Sequence, residues 1–349
     1  MEFSNAVIKW YAQNKRDLPW RNTQNPYFIW LSEIMLQQTR VAQGLPYFNA
    51  FVAAFPTVFD LAQAEEEQVL KLWQGLGYYS RARNLHATAK IVATEYEGNF
   101  PSSYTELLRL KGVGEYTAAA IASFSYNESV AVLDGNVFRV LSRYFNVGLD
   151  ISEGKTKKEF QKLAQEILPK DKAALYNQAI MEFGALQCVP KNPNCDACIL
   201  ATSCAGLQHK KVGQLPVKSK KTKVTNRYFN YLIVQDLDDN FVVQRREGKG
   251  IWENLYEFTL VETAELIDEI SFMGQLKATH FFGQVATDVC VLSSDVIQHK
   301  LSHQHLYIRF YGLKFDHKIP EAKSREEIQK LPFPIAIYNF MQSTCFNSL

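Results

Sequence analysis

One acidic residue, Glu33, lies inside an apolar stretch of the 349-residue chain, Trp30-Leu31-Ser32-Glu33-Ile34-Met35-Leu36-Gln37-Gln38-Thr39. Apolar residues at 30, 31, 34 and 35 have the spacing of one helix face, so the stretch predicts a helix. A carboxyl group among large apolar side chains is poorly solvated, which raises its pKa toward neutrality. Such a group can donate a proton at neutral pH. The same stretch also fits a Glu33 that points to solvent.

A cluster of four cysteines has the spacing C-x6-C-x2-C-x5-C. Its members are Cys188, Cys195, Cys198 and Cys204. In an intracellular protein, four thiols this close in sequence predict metal ligands in preference to disulfides. Spacing alone does not separate a zinc site from an iron–sulfur cluster, since both accept four cysteines.

A Gly-Val-Gly turn, Gly112-Val113-Gly114, joins two predicted helices. Glycine lets the backbone turn tightly and approach a ligand closely. The amides at the start of the second helix favour an anion such as a DNA phosphate. An ordinary helix C-cap fits the isolated motif equally well.

Asp134 follows about 20 residues later, in Val132-Leu133-Asp134-Gly135-Asn136-Val137. It is a candidate N-cap for the helix that this segment begins. In a cleft with Glu33 it would instead supply a second carboxylate, and two acids in different environments suit glycoside hydrolysis.

The elements that must position these side chains are helices. Helical periodicity runs from Pro26 to about Leu200 without convincing strands, so residues 1–205 predict an all-α domain with a metal loop at 188–204. The later part predicts an α+β domain over residues 227–349. Its predicted strands are Tyr228–Val234, Phe241–Arg245, Val289–Leu292 and His305–Leu313, with a turn at Asp236–Asn240 and a helix over Glu262–Ile270.

The charge of the chain is uneven. Residues 1–205 carry net charge 0, residues 206–225 carry +6 and residues 226–349 carry −4, which gives the overall +2. Residues 206–226 therefore predict a basic linker, either a spacer or a contact to a phosphate backbone. Without a long apolar run or a secretory signal, we expect a cytoplasmic protein that does not bind membranes.

The hairpin, the aspartate and the four cysteines together resemble the helix-hairpin-helix DNA glycosylases that carry a [4Fe–4S] cluster. Three stretches resemble one branch, the adenine DNA glycosylases of the MutY type, which remove adenine mispaired with 8-oxoguanine. These stretches are Trp30–Thr39, Trp73–Arg81 and Leu133–Val137. The resemblance implies a helix-hairpin-helix glycosylase domain over residues 1–205 and a Nudix-like 8-oxoguanine recognition domain over residues 227–349.

Two features of the sequence bear on the rival activities. Glycosylase–lyases for oxidised pyrimidines carry a lysine just after the hairpin, where this chain has Tyr116, and a phenol cannot form an imine. A Nudix hydrolase needs an Arg-Glu-x-x-Glu-Glu run to hold Mg²⁺, and this chain lacks that run after Gly250. The third alternative, a DNA-binding protein without catalysis, predicts loss of the acid at 33 or 134, and both acids are present.

The resemblance assigns roles to individual residues. Glu33 would protonate adenine, Asp134 would stabilise the developing positive charge, and Tyr116 and Asn136 would line the site. Residues implied to contact the DNA or its bases are Arg16, Trp20, Arg21, Gln38, Thr39, Leu76, Tyr78, Gly112, Gly114, Ser302 and His303. The preceding Leu301 departs from the usual Phe of the family.

The resemblance also implies the cofactors and partners. We expect a [4Fe–4S] cluster on the four cysteines and a monovalent cation at the hairpin turn. We expect a nucleoid-associated monomer that binds double-stranded DNA containing A:8-oxoguanine or A:G mispairs.

Overall fold

The chain forms two compact units in a computed structural model that describes residues 2–219, 223–293 and 295–349. Unit 1 comprises Met1–Gln63 and Asn84–Lys220, and unit 2 comprises Ala64–Arg83 and Lys221–Leu349. The sequence did not predict that residues 64–83 belong with the later part of the chain. The domain limits at 205 and 227 stay a prediction, and residues 220–222 of the predicted linker lie outside the described residues.

Helices account for the regular structure of residues 2–219, which confirms the all-α prediction for this part of the chain. The twelve α-helices described there are α1 Glu2–Asn14, α2 Pro26–Met35, α3 Val41–Ala54, α4 Val58–Gln63, α5 Glu66–Leu72, α6 Ser80–Glu95, α7 Tyr104–Leu107, α8 Glu115–Tyr126, α9 Gly135–Tyr144, α10 Gly154–Glu166, α11 Ala173–Leu186 and α12 Ala205–Gln208. Short 3-10 turns occur at Pro19–Arg21, Lys170–Lys172 and Val212–Gln214.

Helix α2 forms the buried centre of unit 1. Its first residue, Pro26, lacks an N–H that a first-turn position would leave unpaired. The Asn25 side chain caps the helix by accepting a hydrogen bond from the Tyr27 amide at 3.0 Å. Trp30, Leu31 and Met35 are fully buried, and this burial holds the helix in the core.

Helices α9 and α11 approach each other closely at Gly184. A Cβ atom on Gly184 would lie 2.7 Å from Cβ of Asn136, so a larger residue would force the two helices apart. The absence of a side chain at Gly184 therefore allows Asn136, near the start of α9, to lie against α11.

Unit 2 is built on a five-stranded sheet with strand order β4-β1-β9-β7, in which β8 also pairs with β9. The β1–β9 pair is parallel and the others are antiparallel. The nine strands of the described residues are β1 Thr225–Gln235, β2 Gln244–Arg245, β3 Tyr256–Glu257, β4 Thr259–Thr263, β5 His280–Phe281, β6 Gln284–Val285, β7 Asp288–Val291, β8 Ile297–Lys300 and β9 Gln304–Lys314. Its later helices are α13 Glu269–Ala278, α14 Arg325–Lys330, α15 Ile335–Met341 and α16 Thr344–Asn347.

Two local predictions were wrong. The predicted helix over Glu262–Ile270 is strand β4 followed by the start of α13. Glu262 pairs with Phe229 across the sheet, and Asp268 caps the later helix by accepting from the Ser271 amide at 2.8 Å. Pairing with β1 thus overrides a weak helical pattern. The strand predicted over Phe241–Arg245 is confined to β2, Gln244–Arg245.

No helix among the described residues is both long enough and apolar enough to cross a membrane.

Candidate active site

A cavity of about 530 Å³ opens in unit 1 between α2, α8, α9 and α11. Its volume falls in the range of small-molecule binding sites. Eight residues predicted from the sequence to act in the site line this cavity: Arg16, Trp20, Arg21, Glu33, Thr39, Tyr116, Asp134 and Asn136.

Glu33 lies at the wall of this cavity with only 6% of its surface exposed. The Tyr116 hydroxyl donates a hydrogen bond to Glu33 Oε2 at 2.5 Å. Burial raises the pKa of Glu33 to about 7, and the Asp134 carboxylate adds to this rise, while the Tyr116 hydrogen bond and Arg21 oppose it. At neutral pH a large share of Glu33 therefore carries a proton that it can donate. The solvent-facing alternative for this residue is excluded.

Asp134 is the N-cap of α9, and it also lines the cavity. Its Oδ1 accepts from the Val137 amide at 2.8 Å, and its Oδ2 accepts from Asn136 Nδ2 at 2.8 Å. Burial raises the pKa of Asp134, but these hydrogen bonds oppose the rise. Because donors at a helix N-terminus stabilise the charged form, the geometry favours an ionised Asp134 beside a protonated Glu33.

Glu182 of α11 is a site residue that sequence reasoning missed. Its carboxylate is 1% exposed and binds both arginines of the cavity, with Arg16 Nη2 and Arg21 Nη2 each 2.6 Å from Oε2. Burial raises the pKa of Glu182, but the hydrogen bonds from Arg21 and Arg16 outweigh it and lower the pKa to about 2. The sequence feature that could have identified Glu182 is the same as for Glu33: each is a lone acid in an apolar helical stretch.

The hairpin forms a second opening to the same acids. A crevice lined by Gln38, Gly112 and Gly114 also reaches Glu33 and Asp134. Gly112 has φ +74°, a left-handed conformation that favours glycine. A Cβ on Gly114 would meet nothing within 4 Å, so the start of α8 is open at this residue. The crevice therefore gives a ligand access to backbone amides beside the two acids.

The four cysteine thiols line one cavity at the end of α11. Arg143 Nη1 donates to Cys188 Sγ at 3.4 Å, and the Leu200 amide donates to Cys198 Sγ at 3.4 Å. Burial, followed by the neighbouring cysteines, raises the pKa of Cys198 to about 11. Four thiolates in such a place need a positively charged group between them.

Arg139 was also missed by sequence reasoning. Its Nη2 donates to Asn136 Oδ1 at 2.8 Å, and its Nε donates to the Cys188 carbonyl at 2.7 Å. One side chain thus joins a residue of the active-site cavity to the first residue of the cysteine loop. Nothing in the sequence alone indicated this contact.

A third cavity, of about 550 Å³, lies within unit 2. It brings together four residues predicted to contact DNA, Leu76, Tyr78, Ser302 and His303. Ser302 Oγ and His303 Nδ1 are 3.2 Å apart, within hydrogen-bonding distance. The structure therefore groups Leu76 and Tyr78 with the Ser302–His303 loop.

The acids that follow Gly250 are paired with arginines. Glu253 binds Arg83 at 2.8 Å and Glu257 binds Arg246 at 2.7 Å. In the part of unit 2 that the structure describes, no group of three or more His, Cys, Asp or Glu side chains is arranged to hold a metal ion. Both carboxylates are instead engaged by guanidinium groups.

Comparison with known proteins finds a family match in each half of the chain. Residues 31–169 match the family model of HhH-GPD superfamily base excision DNA repair proteins, and residues 230–343 match that of the NUDIX domain. The chain is 37% identical to an adenine DNA glycosylase of Buchnera aphidicola subsp. Schizaphis graminum over 262 residues, which are 75% of each chain. It is 34% identical to the adenine DNA glycosylase of Buchnera aphidicola subsp. Baizongia pistaciae, over 88% of this chain and 84% of that one.

Among solved structures, a thermostable thymine-DNA glycosylase superposes with a TM-score of 0.55 at 28% identity, over 59% of this chain and 95% of that one. This likeness confirms the predicted helix-hairpin-helix glycosylase fold. The two relatives align over three quarters or more of this chain. We therefore conclude that the chain belongs to the adenine DNA glycosylase family, within the HhH-GPD superfamily of base excision DNA repair proteins.

Proposed function

We propose that this chain is a monofunctional adenine DNA glycosylase of base excision repair. It hydrolyses the N-glycosidic bond of adenine mispaired with 8-oxoguanine or guanine in double-stranded DNA and leaves an abasic site. The observation that carries the proposal is the buried Glu33, whose pKa is raised to about 7, in one cavity with the carboxylate of Asp134. We infer that the base removed is adenine because the relatives are adenine DNA glycosylases.

Adenine inside a duplex is out of reach, so the base must leave the helix and enter a pocket. The cavity that contains Glu33 has the volume for a base, and Trp20 and Arg21 lie on its wall. In the mechanism we propose, Glu33 donates its proton to a ring nitrogen of adenine, N7, so that the base departs as a neutral molecule.

Breaking the glycosidic bond leaves positive charge on the sugar. Asp134, held ionised by the Val137 amide and the Asn136 side chain, stabilises this charge. Tyr116 keeps the Glu33 carboxyl in place through its hydroxyl. Water then attacks the sugar and completes the hydrolysis.

Tyr116 supports hydrolysis over the lyase alternative. Its hydroxyl is engaged with Glu33, and burial, followed by the negative charges of Glu33 and Asp134, raises its pKa well above the usual value. The phenol is thus neutral, and it has no amine to form an imine with the sugar.

The Nudix-like part of the chain is proposed to recognise the base opposite the adenine. Ser302 and His303 line the unit 2 cavity with Leu76 and Tyr78, so these residues suit binding of a purine that has left the stack. Pairing of Glu253 and Glu257 with arginines argues against phosphohydrolase chemistry there. The residues of the hairpin crevice are proposed to hold a DNA phosphate, with a monovalent cation at the turn.

A [4Fe–4S] cluster fits the cysteine loop. Cys188, Cys195, Cys198 and Cys204 would hold it, and a cluster would supply the positive iron that neutralises four thiolates. Hydrogen bonds from Arg143 and the Leu200 amide to sulfur are the kind that accompany such clusters. Iron and sulfide analysis of the purified protein checks this assignment, with a brown colour expected, and stoichiometric zinc without iron would contradict it.

The activity is tested by base release under single turnover from three duplexes, containing A:8-oxoguanine, A:G and thymine glycol. Release of adenine from the first two, with strand breaks only after alkali, is the expected result. Excision of thymine glycol or spontaneous strand breaks would favour the lyase.

The role of unit 2 is better tested by the double substitution Ser302→Ala with His303→Ala than by deletion of residues 226–349. The deletion would also remove the hydrogen-bond partners of Glu66 and Glu67 on α5.

A further inference from the structure

A histidine of unit 2 that neither the motifs nor the proposed mechanism use lines the same cavity as Ser302 and His303. His299 lies on β8, opposite Leu306 of β9, and it is half-buried. Its imidazole has no hydrogen-bond partner in the part of the chain that the structure describes. The ring nitrogens of this half-buried histidine are therefore open to a ligand at the wall of the cavity.

The ring of His299 is held in place from one side. Its centroid lies 5.9 Å from that of Trp252, which is buried and itself packs edge-on against Phe229. This contact fixes the imidazole by packing alone and leaves its nitrogens free to bind a ligand.

Trp252 belongs to a loop in a strained conformation. Trp252 and Asn254 have φ values of +62° and +66°, which residues other than glycine seldom adopt. The loop is pinned by Arg83, which donates to the Glu253 carbonyl at 2.8 Å, and by Arg246, which donates to the Ile251 carbonyl at 3.1 Å. Strain held this firmly is typical of a functional site, and here it keeps Trp252 beneath His299.

The free nitrogen of His299 matches the difference between guanine and its oxidised form. Guanine N7 is an acceptor, whereas 8-oxoguanine carries a hydrogen on N7. A neutral imidazole offers one acceptor nitrogen. Burial lowers the pKa of His299, so the ring is neutral at pH 7. The Nδ1 atom of His303 already faces Ser302, whereas neither ring nitrogen of His299 has a hydrogen-bond partner among the described residues.

We propose that His299 is a further specificity-determining residue of this cavity, and that its imidazole nitrogen accepts a hydrogen bond from N7–H of an oxidised purine. The proposal rests on the proposed recognition of 8-oxoguanine by unit 2. It adds to that function a side chain that contacts the altered edge of the base.

The test compares three full-length variants with the parent enzyme. His299→Phe keeps a ring against Trp252 and removes the acceptor, His299→Gln restores an acceptor, and His305→Phe alters a histidine of β9 that is not among the residues lining the cavity. Adenine release is measured as kcat/KM on A:8-oxoguanine and on A:G duplexes. A single hydrogen bond of ordinary strength predicts a loss of roughly three- to tenfold in preference for 8-oxoguanine in His299→Phe.

We expect His299→Phe to lower the preference for A:8-oxoguanine over A:G, and His299→Gln to restore that preference. An unchanged preference in His299→Phe overturns the inference. An equal loss in His299→Gln or His305→Phe also overturns it, because packing would then explain the loss. A parent enzyme without preference for 8-oxoguanine would instead refute the proposed function, so the two failures are distinguishable.

Discussion

Replacing Glu33 by Gln keeps the size of the side chain and removes the proton that it donates. General acids contribute about 10²- to 10⁴-fold to rate, so we expect adenine release to fall by that factor. In the parent enzyme the acid form is the active one, and its pKa is about 7. The rate of the parent should therefore fall about tenfold for each pH unit well above 7.

The same substitution, which lowers the rate, should raise the stability of the protein above neutral pH. The pKa of Glu33 rises from 4.5 to about 7 on folding, so the native state binds its proton more tightly than the unfolded state. The free energy of unfolding therefore falls as the pH rises from 4.5 to 7, by about 3 kcal/mol in total. Gln does not ionise, so Glu33→Gln should be about 3 kcal/mol more stable than the parent at pH 8, with little difference near pH 4.

The assay pairs single-turnover adenine release with urea unfolding, each followed between pH 4.5 and 8.5. Glu159→Gln, at an exposed position of α10, is the matched control and should change neither quantity. DNA binding by Glu33→Gln should be retained, which separates a chemical defect from a binding defect. A Glu33→Gln enzyme with substantial activity, or with parental stability at pH 8, would refute the assignment of a buried protonated acid.

Three further substitutions test the rest of the cavity. Tyr116→Lys places an amine where the phenol lies and should create weak strand cleavage, seen as a borohydride-trapped covalent complex; no trapped complex would count against the role of this position. Glu182→Gln removes the carboxylate between two arginines; because its pKa falls from 4.5 to about 2 on folding, the loss should be about 3 kcal/mol of stability at pH 7 in urea unfolding, shrinking as the pH falls toward 2. Asp134→Asn retains a good N-cap, so the free energy of unfolding, measured by thermal unfolding, should change by less than about 1 kcal/mol. Adenine release should nevertheless be lost. A comparable loss of stability and of adenine release would show that Asp134 acts only as a cap.

The sequence singled out Glu33 and Asp134 because their signals are local. Glu33 stands out as one charge in an apolar helical stretch, and Asp134 stands out before a helical run at a capping position. The all-α and α+β halves followed from periodicity, which depends on neighbours within a few residues. Strand β4 was missed because its conformation depends on pairing with β1, a partner distant in sequence.

Contacts between distant residues could not be predicted in this way. Lys71 donates to the carbonyls of Gln329 and Leu331, and these bonds help to place residues 64–83 in unit 2. Both are interactions of a side chain with backbone, so the identity of the acceptor residues carries no signal. Arg139 and His299 were missed because their importance depends on residues that are distant in sequence or that lie across a cavity.

Asp134 shows why the two interpretations of a residue in sequence need not compete. An N-cap aspartate accepts from the helix amides, and in α9 those bonds fix the orientation of the carboxylate and stabilise its charge. The two carboxylate oxygens have four lone pairs in all, and bonds from the Val137 amide, the Asn136 amide and the Asn136 side chain use three of them. A remaining lone pair can face a sugar cation in the cavity. The hydrogen bonds that begin the helix thus orient the carboxylate that we propose to act in catalysis, and a capping preference in the sequence is compatible with that role.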